Sequence, residues 1–190
     1  MKAKFYKKIL SETSIIHGLV NMPKDFEINR LKLKEDIVYS SLISKEKANL
    51  NTYYLPNKRY KVDFSKALDM LNIYLIDYLS LNYKFRLVNL DIWGNIYFPN
   101  EASELIRDMD PLDLRNSPDY IMLYGVDIND LNSKITFYYN DNRKKDREYK
   151  MSLLNNQFLF FPSTVVYKIH KNKSEDLNTV LTITYKNELN

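Results

Sequence analysis

The chain has no cysteine and only three glycines in 190 residues. The first absence excludes disulfides, thiolate nucleophiles and zinc sites built on sulfur, and it agrees with an intracellular origin. The second leaves little material for loops that cradle phosphate with bare backbone, so a nucleotide-binding α/β enzyme is disfavoured. Histidine is scarce too: His17 and His170 are the only two, and surface or capping roles are the simplest reading of both. No apolar run approaches the roughly 20 residues a membrane helix needs. Met1 to Leu10 sets lysines among aromatics where a secretory signal would be apolar, so the sequence predicts a soluble, cytoplasmic chain without a membrane span. Neither a Gly/Ser/Pro linker nor an internal repeat divides it, which predicts a single domain over 1–190. The net charge of +4 is small and dispersed along the sequence. It does not demand nucleic acid, although it would not oppose contact with DNA or an acidic protein.

What is abundant is aromatic: 16 Tyr and 9 Phe, within 45% hydrophobic and 27% charged residues. Such residues favour strands and large contact areas. The first sixty residues read as a lead-in or arm, in which Lys4 to Leu10 and Asp36 to Leu42 could each be strand or short helix. A clear helix is predicted over about 64–80. Asp63 is its N-cap candidate, Phe64, Leu68, Leu71, Leu75 and Tyr78 form one apolar face, and Ala67, Met70, Ile73 and Tyr74 form a second. The period then shortens. Strand-like runs follow at Phe85 to Asn89, Ile92 to Phe98, Tyr120 to Asp127, Lys134 to Tyr139, Phe158 to Phe161, Thr164 to His170 and Thr179 to Lys186, punctuated by turn segments such as Asn155-Asn156. The expected class is mainly β (α+β), a sandwich, jelly roll or barrel with at least one packing helix.

Three segments in order carry a resemblance: Trp93-Gly94-Asn95-Ile96-Tyr97 after the helix, then Tyr120 to Val126, then Phe161-Pro162-Ser163 leading to strands around Asn172-Lys173-Ser174. Together they resemble the phage-associated iron and 2-oxoglutarate dependent oxygenases related to prolyl hydroxylases, over a core of 63–186. The resemblance implies a double-stranded β-helix. It also implies a ligand set of two histidines and a carboxylate around iron, with an arginine for 2-oxoglutarate. Aligned on the motifs, the first histidine position holds Ile106, the carboxylate position Asp108, the distal histidine position Tyr167 and the arginine position Val180. Strand alternation puts Val165, Tyr167 and Ile169 on one face and His170 on the other, so His170 should look outward. One carboxylate alone does not hold iron, and an oxygen-only cluster around Glu101, Glu104, Asp110 and Asp113 would suit Mg²⁺ or Ca²⁺ better.

The expectation from these positions is a chain with no catalytic, metal or cofactor-binding residues: a degenerate oxygenase fold kept as a structural or assembly protein. By analogy with the family it would be a neck, tail or capsid-associated component of a tailed bacteriophage virion, assembled in the host cytoplasm and partnered by its own copies or other subunits. The alternatives are an active iron and 2-oxoglutarate dependent oxygenase with relocated ligands, and a nucleic-acid-binding accessory protein using the basic loop 143–150. That loop, centred on Arg143-Lys144-Lys145-Asp146-Arg147-Glu148, reads most simply as an exposed hairpin. Trp93 is expected to pack against the helix.

Overall fold

The computed structural model describes residues 13–20, 28–50, 59–63, 65–140 and 146–188, with the side chains of 45–50 and 146 left aside. In chain order these residues form β1 (Ile16–Leu19), α1 (Arg30–Leu50), β2 (Arg59–Lys61), α2 (Lys66–Tyr83), β3 (Leu87–Tyr97), β4 (Tyr120–Asp127), β5 (Lys134–Asn140), β6 (Asp146–Ser152), β7 (Gln157–Pro162), β8 (Val166–Ile169) and β9 (Asn178–Asn187). The strands make a six-stranded sheet in the order β1-β7-β4-β9-β3-β2 and a three-stranded sheet in the order β6-β5-β8. All the pairings are antiparallel. The mainly β class with a packing helix and a jelly-roll core, expected from the sequence, is the observed one.

The large sheet is buried on both faces, and its sequence shows why. In β4, Met122 and Tyr124 join the cluster shared with the helices, whereas Ile121 and Leu123 join the cluster between the two sheets. A strand sandwiched in this way needs apolar residues at successive positions rather than at alternate ones. On the outer side, α2 contributes Leu68, Leu71, Leu75 and Leu79, and α1 contributes Leu33 and Ile37. Between the sheets lie Tyr97, Phe137, Leu159, Phe161, Tyr167 and Val180.

The predicted helix is present but shifted. It spans Lys66–Tyr83 and is capped by Ser65, whose side chain accepts from the Leu68 amide, so Asp63 is not the cap. Phe64 lies outside the described residues. The face through Leu68, Leu71 and Leu75 is buried; of the second face Ala67 is buried and Tyr74 packs half-buried against the same core, whereas Ile73 is 59% exposed. The segment Asp36 to Leu42 lies inside α1, a longer helix than expected, whose Asn29 cap accepts from the Lys32 amide. Lys4 to Leu10 lies outside the described residues. The basic run falls on a hairpin, as expected: Asp146, Arg147 and Glu148 open β6, which pairs antiparallel with β5, while 141–145 are outside the described residues. Trp93 does not pack on the helix. It stands opposite Lys61 on β2, whose ammonium lies 5.9 Å from the ring centroid.

Gly94 explains how α1 seats. A Cβ there would lie 2.6 Å from a methyl of Ile37, so only glycine lets the helix approach β3 this closely. β1 is the edge strand of the large sheet beside β7, and α1 packs on β3 and β4 of the same sheet.

Candidate functional site

After β3 the chain crosses to the small sheet, where 103–106 runs beside β8. The Ser103 amide donates to the Ile169 carbonyl at 3.0 Å, and Ile106 and Tyr167 exchange backbone bonds of 2.8 and 3.0 Å. This fixes the alternation. Ile106 and Tyr167 point between the sheets, with Asp108 two residues on and on the same side.

There Asp108 meets a partner that the motif alignment leaves out. Arg59, on the edge strand β2, pairs with Asn95 of β3 in register. Its guanidinium forms an ion pair with Asp108, with one amino nitrogen on each carboxylate oxygen. The second amino nitrogen also donates to the Tyr167 hydroxyl at 2.6 Å, and that hydroxyl donates to Asp108 at 3.2 Å. Both charged side chains are enclosed, at 16% exposure for Arg59 and 5% for Asp108. The Tyr97 hydroxyl and Arg59 Nε are buried without a hydrogen-bond partner. Beside them, Thr182 donates to Asn95 at 2.9 Å.

The electrostatics of the cluster follow from its burial. Tyr167 is held well above the usual tyrosine range, first by desolvation and then by the Asp108 carboxylate. Burial also pushes Tyr97 up, with Arg59 opposing. For Arg59 desolvation is the largest influence and acts against the charge, yet Tyr167 and Asp108 outweigh it and the guanidinium stays protonated. Since Tyr167 is itself neutral near pH 7, the charge facing Arg59 there is that of Asp108.

These residues do not fit iron. The site offers one carboxylate, already engaged by a guanidinium and a phenol, beside the hydrocarbon of Ile106 and a phenol held neutral, whereas iron of this type needs imidazole donors and open positions. Among the described residues no group of three His, Cys, Asp or Glu side chains could hold a metal ion. Val180, at the family's arginine position, is fully buried opposite Asn95 and Gly125 and carries no charge. The acidic residues Glu101, Glu104, Asp110 and Asp113 do not converge. Glu101 turns back to the Phe98 amide, and Asp110 and Asp113 bond locally to Leu112 and Asn116. His170 is on the far side of β8 from Tyr167 and meets Thr136 at 2.6 Å. His17 is on β1, where it lines a separate groove.

That groove is a cavity of about 300 Å³ lined by Ile15, His17, Phe137, Tyr139, Tyr149 and Val165, at the seam where β1 of one sheet faces β5 and β6 of the other. An aromatic wall divides it from the ion pair. Phe137 meets Phe161 edge-on at 5.0 Å, and Phe161 meets Tyr167 at 5.3 Å. Sequence reasoning missed Arg59 and this groove. The only local signal for Arg59 is the alternation Arg59-Tyr60-Lys61, which puts both cations on one face of a short strand.

No family model matches the sequence, and no curated protein does. Solved structures do resemble it. The viral collagen prolyl hydroxylase of Paramecium Bursaria Chlorella virus-1 superposes with a TM-score of 0.62 at 9% identity, over 95% of this chain and 98% of that one. A Trichoplax adhaerens prolyl hydroxylase, solved with a hypoxia inducible factor peptide, gives 0.57 at 12% identity over 92% and 83%. A 2OG-Fe(II) oxygenase family oxidoreductase from Burkholderia pseudomallei gives 0.51 at 6% identity, and the chain spans 65% of its length. The oxygenase-like fold is therefore shown, and it reaches into the first sixty residues, beyond the 63–186 core. The expected structural role in a virion is corrected by the same finding: the solved structures that share the fold are named as enzymes, prolyl hydroxylases among them.

Proposed function

We propose that the chain is a 2-oxoglutarate oxygenase-like domain that holds no iron at the position expected for it and recognises a ligand at the barrel seam. One observation carries the first half of this reading: the Asp108 carboxylate is shared between Arg59 and Tyr167. A guanidinium there supplies the positive charge that would otherwise fall to a metal, so the carboxylate is satisfied without one. The second half rests on the seam groove, where Phe137, Tyr139 and Tyr149 stand among Thr13, Ile15, Val165 and His17. A cavity of about 300 Å³ with that lining suits a small apolar or aromatic group, such as a side chain or a ring.

A second reading, an active iron and 2-oxoglutarate dependent oxygenase using another donor set, is favoured by the enzymes that share the fold. One preparation separates the two. After anaerobic reconstitution with Fe²⁺, the first reading expects no stoichiometric iron and no succinate released from 2-oxoglutarate. One bound iron with turnover would establish the second. Ligand recognition is checked by saturation-transfer NMR with N-acetyltyrosine amide, where Tyr149→Ala should abolish the transfer. Transfer unaffected by that substitution would remove the groove from the proposal.

A further inference from the structure

The outer face of the small sheet is separate from the barrel interior and gathers a local excess of positive charge among the described side chains. Lys150 of β6 and Lys168 of β8 both stand opposite Thr136 on the central strand β5. At about 4.8 Å per strand step they flank it about 10 Å apart, with Lys134 about 7 Å further along β5. Beneath them Thr136 is fully buried and bonded to His170. In the adjoining row Tyr138 pairs with Val166 on one side and Glu148 on the other. Arg107 comes from the segment beside β8 and, with Leu105, Tyr138 and Val166, lines a surface depression that runs over the sheet edge to Tyr139 and Val165 of the seam groove. Among the described side chains these four cations stand against Glu148, which pairs with Lys150 at 3.2 Å, so positive charge is in local excess. His170 reports their convergence. Burial lowers its pKa first, and Lys150, Lys168 and Lys134 each lower it further.

We propose that this face, built on Lys134, Lys150, Lys168, Arg107 and Tyr138, is a binding surface for single-stranded nucleic acid. Three of the four cations are lysines, compact charges on flexible stems that suit successive phosphates. Recognition of carboxylates would favour arginine forks instead. The spacing of about 7–10 Å lets each lysine serve one phosphate, and the half-buried Tyr138 ring among them offers a face on which a base can stack. Contact through backbone phosphates and one ring predicts binding with little sequence preference.

The test uses the full chain and a fluorescein-labelled oligodeoxythymidylate of roughly 16 nucleotides, followed by anisotropy across a salt series. Binding should weaken with salt, with a log–log slope of about −2 for three phosphate contacts on a single strand. Lys134→Glu with Lys168→Glu should reduce affinity at least tenfold. Lys66→Glu with Arg86→Glu, an equal change of charge at exposed positions on the helical side, should leave it within twofold. Tyr138→Ala should weaken binding roughly fivefold or more without changing the salt slope. Far-UV circular dichroism of each variant confirms that it is folded. Equal loss from both charge-reversal pairs would reduce the effect to net charge and overturn the proposal. So would failure to bind the oligonucleotide while polyglutamate or phosphatidylserine vesicles bind, which would assign the face to an acidic protein or a membrane surface.

Discussion

Removing one partner of the Arg59–Asp108 pair tests whether it is the internal substitute for a metal. Arg59→Met keeps the bulk of the stem but strands Asp108, at 5% exposure, with only the Tyr167 hydroxyl as partner. Breaking a buried pair from one side costs about 3–5 kcal/mol, and the retained phenol places this case near the lower end. Asp108→Leu strands a guanidinium that keeps 16% exposure and the Tyr167 oxygen as acceptor, so about 2–3 kcal/mol is expected. The double variant exchanges both charges for hydrocarbon in a cluster already lined by Ile106, and should recover much of the loss. The resulting coupling is on the order of 2–3 kcal/mol. Urea melts give each value, provided the dependence on denaturant keeps its slope, which reports an unchanged extent of unfolding. Single variants each within about 0.5 kcal/mol of the parent, together with an additive double, would show that the pair is not formed and would return Asp108 to the set of free metal donors.

Leu71 is fully buried between α2 and the large sheet, so Leu71→Asp should unfold the protein, read as loss of the cooperative thermal transition. A variant as stable as the parent would mean that this helix face is exposed. Gly125→Ala puts a Cβ 2.0 Å from the Leu154 carbonyl oxygen, backbone that cannot swing aside. A cost of about 3 kcal/mol or more is expected in urea melts. Tyr97, Tyr124, Tyr167 and Tyr185 all have raised pKa values, with burial the main cause. The folded state thus keeps these protons where the unfolded chain loses them. Their contribution is complete below about pH 10 and falls as pH rises further, by about 1.4 kcal/mol per unit for each tyrosine. Acting together, the four give roughly 5–6 kcal/mol per unit, so buried-tyrosinate absorbance and loss of circular dichroism should appear together. Tyrosinate forming ahead of unfolding would contradict the burial.

The fold was legible wherever one periodicity dominated. Tyr120 to Asp127 was read with its observed bounds because both of its faces are buried and turn residues bracket it. The stripe Leu68, Leu71, Leu75 marked α2 for the same reason. Reading failed where a strand is polar. β6, from Asp146 to Ser152, is an edge strand whose described residues are largely exposed, so its charges resemble the tip of a hairpin rather than one of its arms. β3 was read as two runs because a register shift between Asn89 and Asp91 interrupts the alternation, although the strand continues through it. β1 is four residues long and depends for its existence on β7, 144 positions away at its first pair.

The site shows the same division more sharply. Motif spacing placed Ile106, Asp108 and Tyr167, and the structure brings these three together. Their chemistry depends on Arg59, which stands 49 residues before Asp108 and reaches it only because β2 adds to the edge of the sheet beside Asn95. Alignment to a ligand pattern asks which donors are missing, and here it returns three absences and a stray carboxylate. The folded chain poses another question: what keeps a buried carboxylate from being an uncompensated charge. A guanidinium and a phenol both converge on Asp108, so the carboxylate belongs to a charge-compensated polar cluster rather than to a partial metal site. It follows that adding the two histidines at Ile106 and Tyr167 would not by itself make an iron site, because Arg59 would still compete for Asp108. The cation from the sheet edge would have to be removed in the same step.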